Sequence, residues 1–335
     1  MKQHFFVLLL FISTLSFSQI KPVVSLVGGD DVPQLKLQIQ TTLETVLLEM
    51  NRLQKGTGNV LSLKNLFNES AMQTFEQFVV QNKAYTARKN YSPQMIQRKI
   101  SLNAFAKSEY YYDVRSITVK VNVGETEASD NQNLVFTFSQ HGIITSVRSV
   151  LPHYDYQNVL DNGVNAIDSL IRLKILDFLE QFRMAYNTKN SDFLEKVYSD
   201  DALILIGTVL KEKENGDFAS YSRLTQSKLK IVQKTKRDYL DDLKNKAFKN
   251  NSFINVQFDS IRIAQHEKIS ALYGISCWQQ WRSSGYSDKG YLFLMMDFHN
   301  VEEPIIHVRA WQPNAFEEDG SFVSLYDFDV VGAEK

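Results

Sequence analysis

The sequence predicts an α+β fold of two tandem modules, each with N-terminal helices packed on an antiparallel sheet. Three observations carry this. Each half opens with an apolar stripe at three- and four-residue steps: Ile39, Leu43, Val46, Leu47, Met50 and Leu53 in the first, Ile167, Ile171, Ile175, Phe178, Phe182 and Tyr186 in the second. That spacing marks amphipathic helices. Each half closes on β-prone runs, with Val119, Val121 and Val123 alternating with Lys120 and Asn122 in the first. Residues 291–313, Y-L-F-L-M-M-D-F-H-N-V-E-E-P-I-I-H-V-R-A-W-Q-P, place two apolar runs around the turn-prone 299–304, the outline of a strand–loop–strand hairpin.

Taken in order, residues 19–34 form a leader whose Gly28-Gly29-Asp30-Asp31 reads as a turn. A helix over 35–54 ends at Lys55-Gly56-Thr57-Gly58-Asn59, and 63–71 is a short helix or turn. Helices are expected at 72–81 and within 93–106, then a strand over 110–123 and a hairpin of 134–139 with 143–150 around Gln140-His141-Gly142. Residues 153–164 are expected as a linker between a first module, 35–152, and a second, 165–313. In the second, a helix over 165–186 precedes a short strand at 203–206. A long basic helix is expected at 222–249, then four strands, 253–263, 269–282, 291–298 and 305–311, most economically an antiparallel meander. Residues 314–335 are an acidic tail with Phe316, Phe322, Leu325, Tyr326 and Phe328 available to pack back.

Composition narrows the function classes. At 44% hydrophobic and 22% charged residues the 335-residue chain has the make-up of folded protein, and its length suits two cores. Its 37 basic and 38 acidic residues leave no long-range attraction for nucleic acid or anionic membrane. Residues 1–18 read as an export signal: Lys2, an apolar run over 5–17, and Ser16 and Ser18 placed for cleavage before Gln19. The run falls short of the roughly 20 residues a spanning helix needs, so the mature chain is expected periplasmic or secreted, with no transmembrane segment. Cys277 is the one cysteine, so no internal disulfide forms. Its apolar strand context reads as a small buried hydrophobe rather than a nucleophile.

The two halves also share short matches. Leu63, Leu66, Phe67 and Ala71 correspond to Leu194, Val197, Tyr198 and Ala202 at a constant offset of 131, and I-I-T-S-V-R at 143–148 resembles I-I-H-V-R at 305–309 with one residue fewer. The run F-L-E-Q-F-R-M-A-Y-N-T-K-N-S-D-F-L at 178–194, followed by V-Y-S-D-D-A and a sheet-forming end, resembles the nuclear-transport-factor-two-like superfamily, which includes SnoaL-like proteins and ketosteroid isomerase. The resemblance covers residues 165–313, and 35–150 more weakly. It implies two cone-like modules, each a bent antiparallel sheet wrapped round helices over a conical pocket. The region from the 270s to Pro313 also resembles exported envelope proteins of Gram-negative bacteria.

Several side chains are candidates for a site. His307, Arg309 and Trp311 alternate, so a regular strand puts them on one face, where they would take an anionic or sugar-like ligand or a partner strand. Trp278 and Arg282 share a parity on the neighbouring strand, with Trp281 beside them. Asp297 is a candidate general base, its pKa raised by Phe293, Met295 and Phe298, with Tyr273 or Tyr291 as hydrogen-bond donor. A cross-strand Asp297–Arg309 pair is the competing reading, decided by whether paired residue numbers in the hairpin sum to even or odd. Asp297, His299 and His307 carry the ligand types of a metal site, but their spacing lacks any close His pair and argues for ordinary sheet and surface residues. The basic stretch 222–249 is interrupted by Asp238, Asp241 and Asp242, which suits a solvated helix face. With no Ser–His–Asp elbow, phosphate loop or dinucleotide fingerprint, a non-enzymatic protein binding a small molecule, glycan or envelope protein is favoured, and no cofactor is expected. The alternatives are an isomerase, dehydratase or hydrolase using a second-module carboxylate, and a structural component dimerising through its sheet face.

Overall fold

The computed structural model describes residues 21–100, 109–122, 129–210, 228–316 and 319–328. The chain is α+β, with two helix-on-sheet modules in tandem. The first contains β1 (Val23–Val24), α1 (Pro33–Gln54), α2 (Glu69–Asn82), β2 (Tyr85–Thr86), β3 (Asn90–Tyr91), β4 (Gln94–Ile100), β5 (Glu109–Asn122), β6 (Ser129–Ser139) and β7 (Ile144–Ser149). Then come α3 (His153–Asp161), α4 (Ala166–Asn187), α5 (Ser191–Val197), β8 (Tyr198–Leu210), β9 (Lys228–Lys234), α6 (Lys236–Asp242), β10 (Ile254–Gln265), β11 (Leu272–Ser283), β12 (Ser287–Asp297) and β13 (Ile305–Gln312).

Helix starts follow local chemistry. Pro33 stands in the first turn of α1, where a missing N–H costs nothing. Asn68, Asn165 and Asn190 cap α2, α4 and α5 by accepting from the backbone N–H three residues on. The predicted stripes of α1 and α4 then bury against two separate cores, one under each sheet, except that Ile167 in the first turn of α4 is exposed. In the first sheet β5 pairs with β2, β4 and β6, and β6 with β7; the second runs β10-β11-β12-β13-β8-β9. Each long bent strand carries a bulge with a serine in the left-handed region, Ser116 (φ 68°) in β5 and Ser260 (φ 57°) in β10. Such a bulge bends a sheet.

The repeat is visible in the pairing. Phe67 bridges Ile144 in parallel, and Tyr198 bridges Ile306 in parallel, the first residues 131 positions apart as the matched segments are. A second bulge also recurs: Thr145 is the extra residue in β7 and His307 the extra residue in β13. Counted from that bulge, Arg309 corresponds to Val147 and not to Arg148. Arg148 and Arg309 therefore face opposite sides of their sheets, contrary to the sequence match.

Several expectations change. Residues 228–234 form β9, an edge strand on β8, and the helix begins only at Lys236, with Thr235 as its cap. K-L-K-I-V-Q-K suits an edge strand, where lysines discourage further pairing. The rest of the expected helix start, 222–227, lies outside the described residues. The helix sought in 93–106 is strand β4 over Gln94–Ile100, and 101–108 lies outside the description. The segment read as a linker folds as α3, with Tyr156 and Val159 buried. The short strand at 203–206 is the middle of the thirteen-residue β8.

Both outer sheet faces are covered by the chain itself. Arg98, Arg115 and Arg148 on the first sheet, which also surround Asp113, meet Asp177 and Glu180 of α4. On the second sheet, Leu272, Phe293, Met295, Val308 and Ala310 carry Val323 and Leu325 of the tail.

Candidate functional site

The second sheet curls over α4 and α6, and its concave face decides which side chains meet. Residues Tyr273, Ile275, Cys277, Gln279 and Trp281 of β11 share that face with Leu292, Leu294 and Met296 of β12. Leu294 pairs with Arg309 and Leu292 with Trp311, so both β13 residues point inward. They reach a cavity of about 620 Å³ lined by Gln279, Trp281, Trp311, Tyr239 and Asp288 among others.

Arg309 is the unusual member. It is only 6% exposed, yet its neighbours are neutral: Oε1 of Gln279 at 3.5 Å and the ring of Tyr239 at 5.0 Å. Its Nε has no hydrogen-bond partner, and among the described residues no carboxylate lies within 4.0 Å of it. Beneath it the Tyr186 hydroxyl lies 2.7 Å from that of Tyr239 and 3.3 Å from that of Tyr198. Burial pushes the Tyr198 and Tyr239 hydroxyls well above the ordinary phenol range, so the guanidinium faces uncharged phenols. Two other buried arginines among the described residues have closer partners, although the Nε of Arg148 likewise lacks a hydrogen bond. Arg148 sits among Asp113, Asp177 and Glu180. Arg183 donates to the carbonyls of Val150 and Val256.

The walls are aromatic. Trp281 meets Tyr186 edge-on at 5.8 Å. Trp311 lies over Gly290, where a Cβ would stand 2.7 Å from the indole. Asp288 accepts from the Tyr286 hydroxyl at 2.5 Å with one oxygen, while the other has no partner. Burial raises its carboxyl pKa, against the lowering pull of Tyr286 and Arg309.

The structure regroups the sequence candidates. The bulge at His307 breaks the alternation, so Arg309 and Trp311 share the cavity while His307 turns toward Asp297. Asp297 pairs with Ile305, on the other parity of β12 from Leu294, so it and Arg309 stand on opposite faces and make no pair. Asp297 instead holds two histidines, with His299 Nδ1 at 2.9 Å and His307 Nε2 at 3.8 Å. Burial works to raise its pKa, but the His299 backbone and ring N–H groups and the His307 charge prevail, so it is lowered. A raised pKa was expected from the apolar neighbours. Sequence spacing separated these three residues, whereas the fold brings them together. No cluster of three or more His, Cys, Asp or Glu among the described residues is arranged to hold a metal ion.

Tyr273 is buried against Phe298 on the helix side, and Tyr291 stacks on Phe322 on the tail side, so neither serves Asp297 as a donor. Trp278 also lies under the tail, 5.6 Å from Phe322, and Arg282 shares its outer parity near the strand end. Both leave the site; Trp281, one residue off the predicted parity, joins it. Gln279, Asp288 and Tyr239 were missed because nothing local marks them: they come to one cavity with Arg309 only through sheet register and the placement of α6. Cys277 is buried, and burial raises its thiol pKa. A second cleft, about 760 Å³, lies between the modules over Arg98 and Arg115.

No family model matches the chain, and no curated protein matches it. Solved structures superpose on parts of it, and they include nuclear-transport-factor-two-like folds. One is a naphthalene 1,2-dioxygenase with indole bound in its active site, at TM-score 0.32 and 9% identity over 49% of this chain and 88% of that one. Another is Bd1075 of Bdellovibrio bacteriovorus, at TM-score 0.33 and 12% identity over 65% and 74%. A third is the beta subunit of a putative aromatic-ring-hydroxylating dioxygenase from Novosphingobium aromaticivorans, at TM-score 0.31 and 12% identity over 44% and 92%. These are likenesses of layout and carry no argument about chemistry. No helix among the described residues is long and apolar enough to cross a membrane.

Proposed function

We propose that this is an exported binding protein that takes a small organic carboxylate into the second-module cavity without transforming it. One observation carries the binding reading: Arg309 is a buried cation with no carboxylate within 4.0 Å among the described residues, in the wall of an open cavity. Taking a charge out of water costs several kcal/mol unless a counter-charge meets it. A ligand carboxylate supplies that counter-charge, and guanidinium geometry suits it. The indoles of Trp281 and Trp311 favour a carboxylate carried on an apolar or planar body. A binding role fits the placement of Asp297, the candidate base, which sits on the other face of the sheet with its carboxylate engaged by histidines. Export rests on the pattern of residues 1–18, which lie outside the described residues.

Benzoate, a small aromatic carboxylate, is a direct probe. Titrated into the protein, it should quench tryptophan fluorescence saturably, and Arg309→Met should weaken binding at least tenfold. Equal binding by both proteins would end the proposal. Export is checked by fractionating expressing cells: the mature protein should lie outside the cytoplasm with Gln19 as its first residue, and an intact Met1 on soluble cytoplasmic protein would contradict it.

A further inference from the structure

The cavity contains a second ionisable group, the Asp288 carboxyl, and its place relative to Arg309 defines a shape. Gln279, which touches the guanidinium, pairs across the sheet with Gly290. Asp288 lies two positions further along β12, paired with Trp281. Residues two apart on a strand share a face and are about 7 Å apart. Gln279, with the guanidinium against it, and Asp288 thus mark two levels of one cavity wall, about 7 Å apart along the strand. Trp311 lies over Gly290 at the lower level, and Trp281 stands opposite Asp288 at the upper. Tyr286 occupies one oxygen of Asp288, while the other has no donor.

Resting on the reading of the cavity as a carboxylate site, we infer that the ligand is a flat aromatic acid bearing a hydrogen-bond donor, hydroxyl or amino, at the end of the ring away from its carboxylate. The carboxylate meets Arg309, the ring lies along Trp311 and Trp281, and the far donor meets Asp288. A benzene ring substituted at opposite ends spans the distance between the two levels. An aliphatic acid leaves the indole walls unfilled. An aromatic acid without the donor leaves one oxygen of the half-buried Asp288 unmatched, at a cost in affinity. A second carboxylate at the far end is disfavoured by repulsion from Asp288.

The test compares three probes of similar size on the full chain: benzoate, 4-methylbenzoate and 4-hydroxybenzoate. The methyl and hydroxyl groups fill nearly the same volume, so their difference reads the hydrogen bond. A bond to a charged acceptor predicts that the 4-hydroxy acid binds about ten- to a hundredfold more tightly than the 4-methyl acid. In Asp288→Asn that preference should fall below about threefold, with a circular-dichroism spectrum like the parent's showing that the fold is intact. Benzoate binding with no preference for hydroxyl over methyl in the unmodified protein overturns the inference and leaves the carboxylate site standing. Retention of the full preference in Asp288→Asn overturns it as well. Failure of all three acids to bind removes both proposals together.

Discussion

Replacing Arg309 with methionine should remove carboxylate binding and make the protein more stable. Both effects come from the same cause. The guanidinium is 6% exposed and meets a glutamine oxygen, phenol hydroxyls and the face of Tyr239 rather than a carboxylate. The desolvation of such an ion amounts to several kcal/mol after relaxation. Against this stand a cation–π contact worth about 1–2 kcal/mol and partial hydration from the open cavity. Methionine fills a similar volume and brings no charge, so a net gain of about 1–3 kcal/mol is expected. For a unit of this size each kcal/mol moves the melting temperature by about 2–4 °C, so the variant should melt about 2–12 °C higher. Arg148→Met is the control. That arginine is 4% exposed among Asp113, Asp177 and Glu180, and its loss strands buried carboxylates, costing about 3–5 kcal/mol. Thermal unfolding followed by circular dichroism separates the two. If Arg309→Met melts lower than the parent by as much as Arg148→Met does, Arg309 is a structural residue and the argument from its unmatched charge fails.

Three further outcomes are expected. Asp113 is buried, which raises its pKa, but Arg148, Arg98 and the Thr137 hydroxyl prevail and hold it below the ordinary aspartate range. Its stabilisation is therefore complete above an unfolded pKa of about 3.9 and is lost as pH falls toward the folded value. The melting temperature should drop steeply below about pH 4, and Asp113→Asn should melt lower at neutral pH with a flatter acid limb; an unchanged limb would exclude the group. Leu325, 5% exposed against Gly274 on the outer sheet face, should cost about 2–5 kcal/mol as Leu325→Ala, and an unchanged melt would mean the tail does not dock. Gly290→Ala pushes a Cβ into the Trp311 indole. It should cost about 1–3 kcal/mol and change the tryptophan emission, and a parental spectrum would contradict the placement of that ring.

The elements were legible where local chemistry decides them. The stripes of α1 and of α4 beyond its first turn, and the apolar run of β12, are one-dimensional patterns, and they fold as their periods require. Even the repeat showed, because Phe67 and Tyr198 make the same parallel bridge in each module. Misreadings came where a pattern serves two structures. K-L-K-I-V-Q-K is basic enough for a helix surface and alternates enough for an edge strand, and β8 settles the matter by pairing with it.

The site divides in the same way. From sequence alone, Arg309 and Trp311 share a face and belong to an apolar hairpin, and that survives. Their company was decided in three dimensions. One bulge residue, His307, shifts the register and sends itself to Asp297 while Arg309 turns inward. Such a slip is invisible to a period-two reading because it changes which face every following residue occupies. Trp278 was lost to the tail, and Gln279, Tyr239 and Asp288 were gained from β11, α6 and β12. Sequence determined that a buried-strand arginine and tryptophan would stand together. Only the packing of four separate segments decided that no carboxylate would meet that arginine, because charge compensation is set by proximity in space and not by order along the chain.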